Sequence, residues 1–484
     1  MEIVGGFATL FASPSALAAV AAAALIGALP GLTAAAAIAM LVPITYHLEP
    51  LTALAFLYVI GKSGRYGGSV SAILFNTPGT TASVATMIDG HPMARRGEAT
   101  RALRMATVAS VIGDLIGDAI LIFGAVLIAG WTARFGPPEY FAVYVMAFLV
   151  IGSVVGESVI KGLLATALGI AAALPGLDPI TGQARWTFGS LQLEGGLRLV
   201  PLLIGLFVIS ELMVQAGRAG RGTKTRIVPL GGRGLSLRET VRMLPVIGRS
   251  ALYGSAIGIM PGLGSSVAAF VAYSEEKRRA GPGAGWGDGA LAGVAAPEAA
   301  SNAVSGPSMI PLLTLGVPGT TVAAILMGVF LIHGIPIGPS IFRSSGDLVF
   351  GLFAAGLLGI VLYGLIGWFF GPAIGRLIAH VPSGIVYPVI FLVTVVAAYS
   401  GRLSLWDVQV MLLAGAAGFA MRRIGLPLAA FIIAFILAPG AEQALRQSLL
   451  LSREGWWIFL AEPVAAGFLA IGMSVALWRA IARR

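Results

Sequence analysis

The tetrad Pro-Gly-Thr-Thr occurs twice inside long apolar stretches, as Pro78-Gly79-Thr80-Thr81 and Pro318-Gly319-Thr320-Thr321. Proline lacks a backbone donor and pushes the residue before it towards extended geometry. Glycine permits an unusual dihedral or the close approach of a ligand. Each tetrad should therefore end a helix in a short non-helical tip. At the first tip Asn76, Thr77, Thr80 and Thr81 place amide and hydroxyl groups where a ligand can meet them, with Ser69 and Ser71 just upstream. At the second, Gly316, Pro318, Gly319, Thr320 and Thr321 repeat the chemistry, with Ser305 upstream. A helix restarting after such a tip offers free N–H groups and a positive dipole end to an anion. The helix that stops before it offers carbonyls that suit Na⁺. The competing interpretation is an ordinary kink whose threonines bond back to the preceding turn. A symmetric pair of tips favours the ligand site.

Glu298 stands beside the second apolar stretch, and Asn302, four residues on, shares its helix face. A carboxylate there suits cation binding or a proton relay; the alternative is a cap on a helix starting after Pro297. Glu298 and Asn302 are the ion-coupling candidates, with Asp89 as a further proton carrier. Asp114 and Asp118 are four apart, as are Glu157 and Lys161. Either pair could line a path, but helix-to-helix contact is the favoured account.

These groups must be positioned by membrane helices. Hydrophobic residues make up 57% of the chain and charged residues 11%, about half the charge of a soluble domain. The 66 Gly and 27 Pro suit broken, closely packed spans. No Cys is present, which excludes disulfides, thiolate metal sites and a Cys nucleophile. There is no P-loop, no His-Glu-x-x-His and no His cluster, so no enzyme and no resident cofactor is expected. The net charge of +10 comes from basic loops between spans rather than a nucleic-acid surface.

The fold expected is all-α and polytopic, with ten to twelve crossings and two re-entrant hairpins. The uncharged stretches 3–46 and 299–332 are each too long for one crossing and are interrupted by proline. Simpler spans are expected at 105–130, 139–155, 160–174, 197–215, 250–273, 351–375, 384–400, 408–421, 424–439 and 463–478. Pro30-Gly31-Leu32 recurs as Pro261-Gly262-Leu263, upstream of the two tetrads, which points to an internal duplication. The first tip is followed by a basic loop with Arg95 and Arg96, the second by a stretch almost free of Lys and Arg. The repeats should then be inverted, with a site between them near the bilayer midplane. Residues 1–216 form the first half, 217–249 a basic cytoplasmic linker and 250–484 the second half.

Three stretches, residues 66–97, 293–335 and 397–429, resemble the tripartite tricarboxylate transporter family, specifically its large membrane subunit. The resemblance spans nearly the whole chain. It implies a multi-pass protein of the bacterial inner membrane that takes up citrate-like di- or tricarboxylates with a co-transported cation, Na⁺ or H⁺. It implies two partners, a small membrane subunit and a periplasmic substrate-binding protein, and ligand contacts at both tips. The chain departs from the family pattern at Ser301-Asn302, where two adjacent Asn are usual, and at Asp114 and Asp118, where small neutral residues are expected.

Overall fold

A computed structural model describes residues 2–29, 33–156, 158–178, 181–219, 234–379, 383–453 and 455–481. Pro30-Gly31-Leu32, Glu157, and Arg221, Lys224, Arg226 and Arg233 of the basic linker lie outside the described residues. Within them the chain is helical almost throughout; the one sheet pairs Gly176–Leu177 with Ala184–Arg185 antiparallel.

Among the described residues six helices are long and apolar enough to cross a bilayer: Ser83–Thr132, Pro137–Val154, Leu199–Gly217, Gly346–Gly371, Leu428–Leu451 and Pro463–Ile481. Val4–Phe11 and Pro14–Ala28 meet at 86° and make a seventh if they count as one span. Ten to twelve full crossings are therefore not reached on length and composition among the described residues. Several of the segments expected to span are too short, among them Val159–Ala173 and Tyr387–Ser400. The apolar segment expected over 250–273 is broken, because Met260 to Leu263 separate Leu237–Ile259 from Gly264–Ala280.

Local chemistry sets the breaks. Ser13 caps Pro14–Ala28 by accepting from the Ala16 N–H. Pro50 opens the 26-residue helix Pro50–Phe75, which ends at Asn76 in the left-handed region with φ 52°. The chain turns through the first tip and re-enters as Ser83–Met93. Met309–Leu315 ends likewise at Gly316, φ 69°, and Thr320 caps Thr321–Ile332 by accepting from the Ala323 N–H at 3.1 Å. Both tetrads are thus turns between helices.

Two helices form the centre. Every residue from 52 to 74 of Pro50–Phe75 is buried, and so is every residue from 293 to 303 of Leu291–Ala303. Leu291–Ala303 packs against Ala99–Thr132, Leu237–Ile259, Gly264–Ala280 and Ser83–Met93. Pro50–Phe75 packs against Pro14–Ala28, Gly346–Ala379, Ser83–Met93 and Ala99–Thr132. Glycine permits the closest approaches. A Cβ on Gly113 would lie 2.3 Å from the Ala299 carbonyl oxygen, and one on Gly254 would lie 2.2 Å from that of Ala300.

Candidate functional site

Pro297 falls inside Leu291–Ala303, so Glu298 is not a cap at a helix start; it is mid-helix and 1% exposed. Its carboxylate accepts hydrogen bonds from three hydroxyls on three other segments. Ser69 of the first tip helix donates to Oε1 at 2.5 Å, Thr86 of Ser83–Met93 donates to the same oxygen, and Ser110 of Ala99–Thr132 donates to Oε2 at 3.0 Å. Asn302 Nδ2 donates to Ser110 Oγ at 2.9 Å and to the Glu298 carbonyl at 3.0 Å. Among the described residues its Oδ1 is buried without a hydrogen-bond partner. This donor set is made of oxygens, some charged and some neutral, which suits a hard monovalent cation or a proton rather than a soft metal. Among the described residues no Lys, Arg or His pairs with Glu298.

Arg65 lies one turn before Ser69 and is 7% exposed. Its Nη1 donates to Ser305, in the turn between Leu291–Ala303 and the second tip helix. Among the described residues no carboxylate lies within ion-pair distance of it, and Asp114 and Asp118 attract it only from further away. A buried guanidinium is strongly disfavoured unless an anion or several acceptors meet it, and its planar fork matches a carboxylate. In the sequence Lys62 and Arg65 read only as interruptions of an apolar pattern, which hides their burial.

The remaining candidates fall into different places. Asn76, Thr77, Pro78 and Thr81 are exposed, with Gly79 and Thr80 half-buried. Thr80 and Ser83 cap one another: the Thr80 N–H donates to Ser83 Oγ at 3.1 Å and the Ser83 N–H to Thr80 Oγ1 at 3.2 Å. Gly79 folds back on its own helix, its N–H donating to the Gly68 carbonyl at 3.2 Å, and Ser71 donates to the same oxygen at 3.0 Å. Thr77 bonds back to Phe75. Thr81 pairs with Ser266, which ties the first tip to the start of Gly264–Ala280. At the second tip Gly316, Pro318, Gly319 and Thr320 are buried and Thr321 is half-buried. The Gly262 N–H donates to the Gly319 carbonyl at 3.1 Å, so the Pro261-Gly262-Leu263 break and the second tetrad meet.

Asp89 is fully buried and belongs to another constellation. Its Oδ1 accepts from the backbone N–H groups of Gly287, Gly289 and Ala290 at 2.9, 2.8 and 2.7 Å, and Tyr273 donates to Oδ2 at 2.8 Å. Gly287 and Gly289 take φ of 95° and 105°, which turns successive amides inward as an anion nest. Asp89 thus fastens the loop that leads into Leu291–Ala303.

Asp114 and Asp118 do have a partner that the sequence pattern concealed. Lys62 Nζ lies 2.7 Å from Asp114 and 2.8 Å from Asp118, with all three side chains at most 2% exposed. Lys161 donates to the Ile424 carbonyl at 2.6 Å, at the end of Leu405–Ile424.

The profile of the tripartite tricarboxylate transporter TctA family matches residues 15–433. The chain belongs to that family. It is therefore the large membrane subunit of a tripartite transporter. A relative named "Uncharacterized 52.8 kDa protein in TAR-I ttuC' 3'region", from Agrobacterium vitis, is 36% identical over 93% of this chain and 89% of its own. A second from the same organism, "Uncharacterized protein in TAR-II ttuC' 3'region", is 34% identical over 46% of this chain and 90% of its own. No solved structure matches. In this TctA-family chain the tetrads, Glu298 and Arg65 all fall within the matched region.

Proposed function

We propose that this TctA-family subunit is the secondary active carrier for di- or tricarboxylate anions, coupled to a co-bound cation. It works in the bacterial inner membrane with a small membrane subunit and receives its substrate from a periplasmic binding protein. The observation that carries this is Arg65, a buried guanidinium with no carboxylate within ion-pair distance among the described residues, set where the two broken segments meet at Ser305. A carboxylate substrate supplies an anion in direct contact with the guanidinium. The first tip adds hydroxyls and amides, and the halves act as inverted repeats closing on the ligand from opposite sides.

The remaining substrate charge needs compensation in a low-dielectric site. Arg65 supplies one unit, and each helix N-terminus contributes only about half a unit. Na⁺ held by Glu298 and Asn302 supplies the rest; a proton on Glu298 is the alternative. Bound substrate then raises Na⁺ affinity by the factor by which Na⁺ raises substrate affinity.

The test is uptake of labelled citrate and of smaller dicarboxylates into proteoliposomes holding this chain with both partners. Saturable, gradient-driven uptake that rises with Na⁺ at fixed pH is expected. Arg65→Gln should lower uptake per unit substrate by about 10²-fold, the loss of one charged hydrogen-bonded contact, with Arg65→Lys intermediate. Undiminished uptake in Arg65→Gln would remove the anchor from the proposal. An ohmic anion current in place of saturable uptake would make the protein a channel.

A further inference from the structure

Three helices bury a second charged cluster away from the tips. Lys62 of Pro50–Phe75 bridges Asp114 Oδ1 at 2.7 Å and Asp118 Oδ1 at 2.8 Å, both on Ala99–Thr132. Tyr58 donates to Asp118 Oδ1 at 3.3 Å, and Tyr363 of Gly346–Ala379 donates to Asp114 Oδ2 at 3.2 Å. The Lys62 ammonium also sits 4.9 Å from the centre of the Tyr58 ring. Asp118 Oδ2 is buried and has no hydrogen-bond partner. The other charges nearest this cluster are Arg65, on the same helix as Lys62 one turn on, and Glu298 on Leu291–Ala303; neither pairs with it.

One ammonium bridges two carboxylates, and Arg65 attracts both from further along the same helix, so what stays unanswered is a buried carboxylate oxygen, Asp118 Oδ2, that no donor meets among the described residues. An ionised oxygen without a donor is disfavoured in an apolar interior, and a buried acid relieves that by taking up a proton. A metal ion does not answer that oxygen here. Hard cations need several oxygen ligands, and among the described residues Asp118 Oδ2 has no hydrogen-bond partner. The backbone of Gly346–Ala379 closes over that oxygen: a Cβ on Gly356 would lie 3.0 Å from it.

We infer that the Lys62–Asp114–Asp118 cluster is a proton-binding site, loaded and emptied as the first tip helix moves. This rests on the carrier function proposed above and adds a coupling site to it. Ser110, Asp114 and Asp118 follow at successive i+4 steps along one face of Ala99–Thr132. Ser110 holds Glu298 at one end of that face, and the two aspartates hold Lys62 at the other. Lys62, Arg65 and Ser69 all belong to Pro50–Phe75. A shift of that helix along Ala99–Thr132 therefore breaks the Lys62 ion pairs and the Ser69–Glu298 bond together. With Lys62 withdrawn both aspartates lose their counter-charge and hold a proton more tightly. With Lys62 inserted the proton leaves more readily. The proton thus follows the position of the helix that carries the substrate anchor.

Asp118→Asn tests this, because it keeps shape and fixes the cluster in its neutralised form. The wild-type complex, in proteoliposomes with equal Na⁺ on both sides, should accumulate substrate up to about tenfold more per unit of pH gradient when the outside is acid, one proton per cycle. Asp118→Asn should show no response to that gradient while still exchanging internal for external substrate, a reaction without net proton movement. Infrared spectroscopy of the purified protein at neutral pH supplies an arm that needs no transport. A protonated carboxyl band that shifts in deuterium oxide should be present in the wild type, persist in Glu298→Gln and vanish in Asp118→Asn. A pH-gradient response equal to wild type in Asp118→Asn, or no carboxyl band assignable to Asp114 or Asp118, overturns the inference. If the wild type shows no saturable uptake, the carrier function itself fails, and the infrared arm alone decides whether the cluster holds a proton.

Discussion

A carboxylate that receives three hydroxyl protons and meets no ion-pair partner keeps its charge only through those hydrogen bonds or through a visiting cation. Glu298 is in that position. Glu298→Gln retains the volume and one acceptor oxygen but removes the charge and turns a donor towards hydroxyls that donate. Uptake at saturating Na⁺ is expected to fall by about 10²-fold, the scale of a lost charge-assisted contact. The Na⁺ dependence should disappear, and protein yield in the membrane should stay near wild type. An unchanged Na⁺ response in Glu298→Gln would move the cation elsewhere. Part of this site was legible from residue types: Glu298 beside an apolar stretch and Asn302 four residues on. Its hydroxyl partners were only partly so. Ser69 stood out as a neighbour of the first tetrad, but Thr86 and Ser110 are ordinary polar residues within helices, brought to Glu298 by packing across 212 and 188 positions. Arg65 and Lys62 were hidden for the opposite reason. Hydropathy treats a cation as an interruption, and only the fold shows that 52–74 is buried along its whole length.

At the scale of elements, Leu291–Ala303 is placed by its loop and by the helices that grip it. The loop is fastened by Asp89, whose Oδ1 accepts three backbone amides. Asp89→Ala leaves those donors without their acceptor and should destabilise the protein by about 3 kcal/mol or more. Protease cleavage within 281–290 and a lower unfolding temperature in detergent are the readouts. Altered Na⁺ or proton dependence with an uncut loop would instead make Asp89 an ion carrier. The gripping helices use glycines four apart, Gly113 with Gly117 and Gly254 with Gly258, whose missing side chains let the Ala299, Ala303, Ala300 and Val304 carbonyls approach. Gly254→Leu should push Leu237–Ile259 off this helix and abolish assembly, whereas Gly130→Leu, at a position with open space around it, should be tolerated. Size-exclusion profiles of the two variants decide this. The sequence showed where apolar helices run, and Pro137–Val154 and Pro463–Ile481 fall close to expectation. It could not separate a full crossing from a short buried helix such as Thr321–Ile332, because both are equally apolar and only length and neighbours distinguish them.

For the whole molecule, two tips of the same chemistry stand in unequal surroundings. Asn76, Thr77 and Thr81 are exposed, whereas Gly316, Val317, Pro318 and Gly319 are buried. A carrier that works by alternating access needs such inequality, since a site open at both tips would leak. The elements that lead into the tips differ: Pro50–Phe75 runs directly into the first, whereas Leu291–Ala303 and the short Met309–Leu315 precede the second. The conformation at the tips is not alike. The absence of Cys makes this testable by single replacements. Thr77→Cys should react quickly with a water-soluble maleimide in the membrane-embedded complex, and Val317→Cys slowly. Substrate with Na⁺ should slow the first or speed the second, because a ligand shifts the balance only through unequal affinity for the two states. Direction across the membrane comes from the same set. Arg238→Cys, in the exposed start of Leu237–Ile259, should label in intact cells only after permeabilisation, and Ser340→Cys without it. Equal rates at Thr77→Cys and Val317→Cys, unmoved by substrate, would make the tips static turns. Labelling of Arg238→Cys from outside would reverse the assignment of the basic segments to the cytoplasm.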